Sequence, residues 1–163
     1  MKTREMVNIA MIAVLASVLS LFELFRMPRG GSVTLYLIPL FFAAVNEGLK
    51  TNVIIATITA TLQILLGGYI LNPIQIILDY YLPVLLICTS QIFPFNRYVN
   101  LGISSLLAMG SYVVSGMLFF DVPFVASIIY NASFFVPTII LNMIVFAAIN
   151  PRLSKVYKAN HTV

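Results

Sequence analysis

The sequence predicts an all-α fold, a compact bundle of six transmembrane helices in a polytopic membrane protein. Hydrophobic residues make up 61% of the 163 positions and charged residues only 9%, and the mean hydropathy is +1.03. A soluble domain carries charge on roughly a quarter of its residues, so this chain would expose apolar surface to water on every side. Such a surface requires lipid as its solvent.

Charged residues, glycines and prolines divide the chain into six apolar segments. A helix needs about 20 mainly apolar residues to cross the hydrocarbon, and about 17 at the short end. The second and third segments are short, and the third is rich in threonine, so we expect both to pack against neighbouring helices. No linker or low-complexity tract interrupts the series, so residues 1–163 are predicted to form one transmembrane domain. Its predicted spans are residues 6–25, 32–45, 51–66, 73–93, 101–120 and 123–149.

The positive charges fall mostly on one side of this six-span arrangement. The opposite side receives only Arg26 and Arg29, which would cap a pocket or pair with Glu23. Because cytoplasmic loops are enriched in lysine and arginine, we expect a multi-pass protein of the cell membrane with both termini in the cytoplasm. The cations flank apolar segments instead of forming a stripe, which argues against a nucleic-acid partner. The cytoplasmic side would carry Lys2, Arg4, Lys50, Arg97, Arg152, Lys155 and Lys158.

Asp79 is the strongest candidate for a binding residue, because it is an acid inside the fourth apolar segment. An ionised carboxylate at membrane depth is costly, so it usually faces a cavity or a partner. One interpretation is a ligand-facing acceptor for a cationic or amino-bearing ring. The alternative is a structural pair, or a carboxylate at the helix end near the outer interface.

Polar and aromatic residues accompany Asp79 at a similar predicted depth. Tyr80 would offer stacking and cation–π attraction to a planar cation, although tyrosines also occupy interfacial belts without any ligand. Gln75 lies four residues before Asp79 on the same helical face and would donate to the carboxylate or to a ligand. Asn131, in the sixth segment, must find hydrogen bonds in hydrocarbon, either across helices or to a solute. The deeper Asn142 is predicted to link helices.

Small residues form a stripe on the first segment. Ala10, Ala13 and Ser17 would let another helix approach closely. One interpretation is docking against a separate membrane subunit, and the alternative is packing inside the bundle.

The sequence carries none of the common catalytic signatures. A Walker loop, an HExxH motif, a nucleophile elbow and a cluster of metal ligands are all absent from it. The single cysteine, Cys88, excludes an intrachain disulfide, and the single histidine, His161, lies in the polar tail. We therefore predict a protein that is not an enzyme and that holds no metal or cofactor.

Two stretches resemble the thiamine-specific S-components of energy-coupling factor (ECF) transporters. The first is residues 27–35, MPRGGSVTL, followed by Ile38-Pro39, which is similar to that family's first outer loop and second helix. The second is residues 68–75, GYILNPIQ, which continues to Leu78-Asp79-Tyr80. The chain length, the six spans, the cytoplasmic termini and the small-residue first helix are similar as well.

This resemblance implies substrate capture, not catalysis. S-components bind a vitamin near the outer face and associate with a transmembrane T-component and two cytoplasmic ATPases, whose ATP hydrolysis drives release of the vitamin inside. By resemblance, Asp79 would hold the ligand and Tyr80 would be the aromatic residue beside it. Asn131 is similar to the family's sixth-helix asparagine.

The sequence departs from the thiamine-specific pattern at three points. Tyr36 stands where the family usually has an acid, Tyr112 stands nearest to its histidine, and the chain has no tryptophan. Tyr36 and Tyr112 are therefore included among the predicted ligand-binding residues. The expected ligand is thiamine or a related vitamin precursor. Because one carboxylate fewer favours a less charged ring, hydroxymethylpyrimidine or a pyridoxine-type vitamer is the alternative.

Two other classes of protein stay open from the residues alone. A stand-alone proton-coupled carrier would need a carboxylate that cycles between protonation states, and Asp79 would provide one. A structural membrane protein would explain the hydrophobicity, but not the similar depth of Asp79, Gln75 and Asn131. The S-component is the prediction that accounts for most of these features.

Overall fold

The computed structural model describes residues 3–28 and 31–161, the last four by their backbone only. Two two-residue strands, β1 (Phe25–Arg26) and β2 (Ser32–Val33), lie between the first and second helices. A short 3-10 turn at Ser90–Ile92 follows the fourth helix. This architecture confirms the predicted all-α class. The helices are α1 (Thr3–Leu21), α2 (Leu37–Asn46), α3 (Leu49–Leu65), α4 (Pro73–Cys88), α5 (Arg97–Phe119) and α6 (Phe124–His161).

The helices fall into two length classes. In the described part of the chain, α1, α5 and α6 are long and apolar enough to cross a membrane. The shorter helices α2, α3 and α4 are apolar as well. Short apolar helices are accommodated where neighbouring helices cover them, which matches the expectation from the sequence for the second and third segments.

Helix α2 lies near the centre of the bundle. It contacts α1, α3, α4 and α6, and its residues Leu37, Leu40 and Phe41 are completely buried. Helix α4 packs against α3 and α5, and α6 packs against α5 and α2. Because the central helix is covered on every side, it can be short without exposing its backbone ends to lipid.

Asn142 ties α6 to the beginning of α2. Its fully buried side chain donates to the carbonyl oxygens of Thr34 and Thr138, each at 2.7 Å, and accepts from the Ile38 backbone N–H at 3.2 Å. The backbone groups ahead of a helix have no partner within it, so this amide satisfies them. Asn142 is therefore the interhelical link that the sequence predicts.

The first connection differs from the prediction, because it contains a hairpin. Strands β1 and β2 pair antiparallel, with Phe25 opposite Val33. The apolar run that predicts a helix to residue 25 is helical only to Leu21, and the second helix begins at Leu37 and not at residue 32. Apolar residues at a strand pair and at a helix end have the same hydropathy, so the sequence did not separate them.

Helix α6 extends well beyond the predicted end of its span at residue 149. Its polar continuation is held by side chains: Ser154 donates to Asn46 at 3.0 Å, and the Tyr157 hydroxyl donates to Glu47 at 2.6 Å. Hydropathy reports the apolar part of a helix only. The helix continues where the tail finds partners on the bundle.

The two ends of the bundle carry different connections. At one end, here called the termini end, α1 meets α3 through a hydrogen bond from Thr51 to Glu5, and α6 meets the α2–α3 turn through Glu47. The opposite end, here called the hairpin end, carries the β1–β2 hairpin and the α3–α4 and α5–α6 connections. The rings of Tyr69 and Phe120 bring the last two together at 6.2 Å.

The small-residue stripe on α1 divides between two surroundings. Ala13 and Ser17 are buried within the chain itself, at 0% and 1% exposure, whereas Ala10 is exposed. Helix α1 packs mainly against α3 and α2. The structure therefore places Ala13 and Ser17 inside the bundle and leaves Ala10 on its surface.

Candidate functional site

A cavity of about 910 Å³ opens at the hairpin end. Its wall is built from the first connection, the end of α3, the middle of α4, the second half of α5 and the first half of α6. Five of the six predicted ligand-binding residues line it, and Gln75 does not. The five are Tyr36, Asp79, Tyr80, Tyr112 and Asn131.

Local sequence fixes where α4 begins. The Asn72 side chain accepts hydrogen bonds from the backbone N–H groups of Ile74 and Gln75, each at 3.0 Å, and Pro73 occupies the first helical position. Asparagine satisfies unpaired donors at an N-cap, and proline loses nothing there because its missing N–H would have no partner. This start sets the angular position of every residue in the first turns of α4.

Asp79 lies in a π-helical segment, Ile77–Tyr81, inside α4. Its carboxylate accepts a hydrogen bond from the Gln75 side-chain amide at 2.6 Å. Within the described part of the chain the hydrogen-bond donor to this carboxylate is an amide, and no cation pairs with it. π-Helical turns often occur at functional sites because they change the direction of side chains.

Gln75 stands behind Asp79, away from the cavity. Only 1% of its surface is exposed. Its amide nitrogen donates to Asp79, and its amide oxygen accepts from the Leu71 backbone N–H at 3.1 Å. Gln75 therefore connects the α3–α4 loop to the carboxylate, and it positions Asp79 without facing the cavity.

Tyr80 also fastens the α3–α4 loop. Its hydroxyl accepts from the Tyr69 N–H at 2.7 Å and donates to the Tyr69 carbonyl oxygen at 3.3 Å. A Cβ at Gly68 would come within 2.8 Å of the Ile64 Cα and 3.0 Å of the Tyr80 hydroxyl. Glycine is thus required for the loop to approach the ring this closely.

Tyr36 and Tyr112 meet on the cavity wall. Their hydroxyl oxygens lie 3.4 Å apart, and the Tyr112 ring packs edge-to-face on Phe135 at 5.2 Å. The two positions that depart from the resembling family are therefore in contact with each other. Together they give the wall an aromatic surface with paired hydroxyl groups.

Helix α6 joins the hairpin to the rest of the wall. Asn131, 7% exposed, donates to the Ser127 carbonyl oxygen at 2.9 Å, and the Ser127 hydroxyl donates across to Val113 on α5. The Tyr130 hydroxyl accepts from the Gly31 N–H at 3.1 Å. The asparagine is thus held by its own helix, and the hairpin is attached beside it.

Several lining residues were not singled out from the sequence. For Glu23 the sequence predicts only a pairing with arginine, and the structure confirms that pair, with 3.5 Å between the Arg26 Nε and the carboxylate. Arg29, the other predicted partner, lies outside the described residues. Gln63 on α3 is a polar residue in an apolar segment, which is a signal in the sequence that could have indicated a cavity-lining position. The apolar Phe134 and Phe135 provide no such signal, because a ring that faces a cavity has the same hydropathy as one that faces lipid.

The wall is suited to binding a flat, polar or cationic ring. It combines the Asp79 carboxylate, the Asn131 amide and four tyrosines, and stacking and cation–π contacts are the interactions that such groups make. Among the residues described, no three histidine, cysteine, aspartate or glutamate side chains lie close enough together to hold a metal ion.

Comparison with known proteins identifies the family. The family model described as Thiamine transporter protein (Thia_YuaJ) matches residues 6–158. The chain belongs to the thiamine transporter family. Membership supports a vitamin as the substrate and implies transport, not catalysis, in a membrane protein.

Two known proteins are similar to this chain over nearly their whole length. The thiamine transporter ThiT of Bacillus subtilis (strain 168) is 27% identical over 190 residues, which cover 97% of this chain and 99% of that protein. The solved structure of ThiT from Listeria monocytogenes has a TM-score of 0.74 at 23% identity, covering 89% of this chain and 92% of that one. The structural match establishes the shared fold.

Proposed function

We propose that this member of the thiamine transporter family binds thiamine, or a closely related vitamin precursor, in the cavity at the hairpin end. The observation that carries the proposal is Asp79, a carboxylate on an aromatic cavity wall whose charge is stabilised by a buried amide at 2.6 Å. A carboxylate so placed favours a ring with an amino group or a positive charge. The relative from Bacillus subtilis is named a thiamine transporter, which supports the same ligand.

The proposed contacts divide by chemistry. Asp79 accepts from the amino or cationic part of the ligand, and Asn131 offers an amide to its ring heteroatoms. Tyr80, Tyr36 and Tyr112 supply the aromatic faces. Gln75 keeps the carboxylate in position from behind.

We also propose that the chain is the S-component of an ECF-type importer. In this proposal the hairpin end faces outward and captures the vitamin, and both termini are cytoplasmic. A transmembrane T-component and two ATPases supply the energy for uptake. The cation count on the predicted inner side supports this orientation. Co-purification of the chain with a membrane subunit and paired ATPases would support the partnership, whereas uptake by the chain alone on a proton gradient would contradict it.

Equilibrium binding to the purified chain tests the ligand assignment. Thiamine, hydroxymethylpyrimidine and pyridoxine are titrated by calorimetry, and we expect thiamine or its pyrimidine part to bind most tightly. Replacement D79N should weaken binding by about 1–3 kcal/mol, because a charged acceptor is replaced by a neutral amide. The matched control E5Q removes a carboxylate at the termini end and should leave the affinity unchanged. Equal affinity of D79N and the wild type would refute the proposed site.

A further inference from the structure

A second carboxylate lines the same cavity. Glu23 follows the end of α1, and 31% of its side chain is exposed. It belongs to the cavity wall together with Asp79, and the described residues that form this wall include no lysine, arginine or histidine. The described wall thus carries two acids and no base.

The backbone on both sides of Glu23 is fixed. The Glu23 N–H donates to the Leu21 carbonyl oxygen at 3.2 Å, and the Leu24 N–H donates to Val33 in the hairpin at 2.8 Å. The carboxylate is therefore attached to an ordered turn, and its place on the wall is set by the fold.

Arg26 is a replaceable partner for this carboxylate. Its side chain is 71% exposed, the Nε–oxygen distance is 3.5 Å, and it is not among the residues of the cavity wall. Exposed ion pairs of this kind contribute little to stability. A cation that enters the cavity can therefore take over the carboxylate at small cost, while Arg26 turns to solvent.

We propose that Glu23 is a specificity-determining residue that selects permanently cationic ligands over neutral ones of the same ring type. The inference rests on the proposed binding function of this cavity and adds the basis of its charge preference. Asp79, held by Gln75, accepts hydrogen bonds from cationic and neutral rings alike. Glu23 contributes through charge, so it discriminates by the ligand's net charge and not by its shape.

The test compares two ligands that share a pyrimidine. Thiamine carries a permanent thiazolium cation, and 4-amino-5-hydroxymethyl-2-methylpyrimidine is neutral. Calorimetry on the purified full-length chain should show that E23Q weakens thiamine binding about tenfold, while the affinity for the neutral pyrimidine changes less than about twofold. The difference between wild type and E23Q for thiamine should shrink as the salt concentration rises from about 0.05 M to about 0.5 M, because exposed charges are screened.

Three variants complete the design. E23D keeps the charge and should retain most of the preference for thiamine. R26Q removes the competing cation and should tighten thiamine binding a few-fold, an effect that E23Q in the same chain should abolish. D121N is the matched control: Asp121 is exposed and absent from the cavity wall, and its φ of 50° is one that asparagine adopts readily. It should change neither affinity.

The outcomes separate the two proposals. If wild-type protein binds thiamine but E23Q leaves thiamine binding unchanged, or weakens both ligands equally, the inference about Glu23 is overturned and the binding function stands. If wild-type protein binds neither ligand, the proposed function fails, and the inference fails with it. Thermal unfolding of E23Q, expected to match the wild type, excludes misfolding as the cause of a lost affinity.

Discussion

The two ends of the bundle are both polar, but their polar groups are used differently. At the termini end a pocket of about 400 Å³ is lined by Asn46, Asn100 and Ser154, whose side chains bond to one another or to nearby backbone. At the hairpin end, Asp79 and Glu23 line a cavity of about 910 Å³. Polar atoms that satisfy each other stabilise a fold, whereas polar atoms directed at an open volume are available to a ligand.

The largest effect that would test this contrast is expected for Q75L. The substitution removes the 2.6 Å donor to Asp79 and the acceptor for the Leu71 N–H, so the carboxylate loses its support from behind. We expect thiamine affinity to fall by about 2 kcal/mol, the value typical of a hydrogen bond to a charged group. Calorimetric titration measures it. Q91L, at an exposed glutamine of the termini-end pocket, is the matched control and should bind like the wild type.

For Y157F at the termini end we expect a smaller effect, and we expect it on stability instead of on ligand affinity. The tyrosine hydroxyl donates to the Glu47 carboxylate at 2.6 Å, a charge-assisted bond that joins α6 to the α2–α3 turn. Its loss should lower the free energy of unfolding by about 1–2 kcal/mol. Thermal unfolding in detergent reports the change, and thiamine affinity should stay within error. A loss of thiamine affinity without a loss of stability would mean that the termini end also contributes to ligand binding.

The smallest effect is expected for Y80F, which keeps the ring and removes the hydroxyl that holds Tyr69. The aromatic face stays on the cavity wall, so the affinity should fall by only about 0.5–1 kcal/mol, through looser anchoring of the α3–α4 loop. Replacement Y80A, which removes the ring as well, should cost clearly more. Equal affinities for Y80F and Y80A would show that the ring does not contact the ligand.

The helical class and the position of Asp79 were accessible from the sequence for a simple physical reason. An acid in an apolar run is an outlier in composition, and the cost of its burial predicts a compensating environment. The asparagine at position 142 could be interpreted in the same way, because an amide in hydrocarbon needs partners.

Other parts of the site could not be predicted, because they depend on geometry that composition does not encode. The four-residue spacing of Gln75 and Asp79 gives a shared helix face, but not which of the two reaches the cavity. Hydropathy predicts the end of a helix for the residues that form the turn at Glu23 and the first strand of the hairpin. Nothing in the sequence distinguishes Phe134 and Phe135, which line the cavity, from phenylalanines that face lipid. The small residues Ala13 and Ser17 suit either a partner helix or α3, and only the packing decides.

The π-helical segment Ile77–Tyr81 has a consequence for how this chain tolerates change in length. An α-helix turns by ~100° per residue, and the wider turn accommodates one residue more than the surrounding helix would. Deleting a single residue there would restore the regular helix with its flanking turns still in phase, but it would redirect the side chains of the segment itself, so that the Asp79 carboxylate would move away from the Gln75 amide. Substitutions along this stretch alter one side chain each, whereas a one-residue deletion inside it would redirect several side chains at once while the rest of α4 keeps its place.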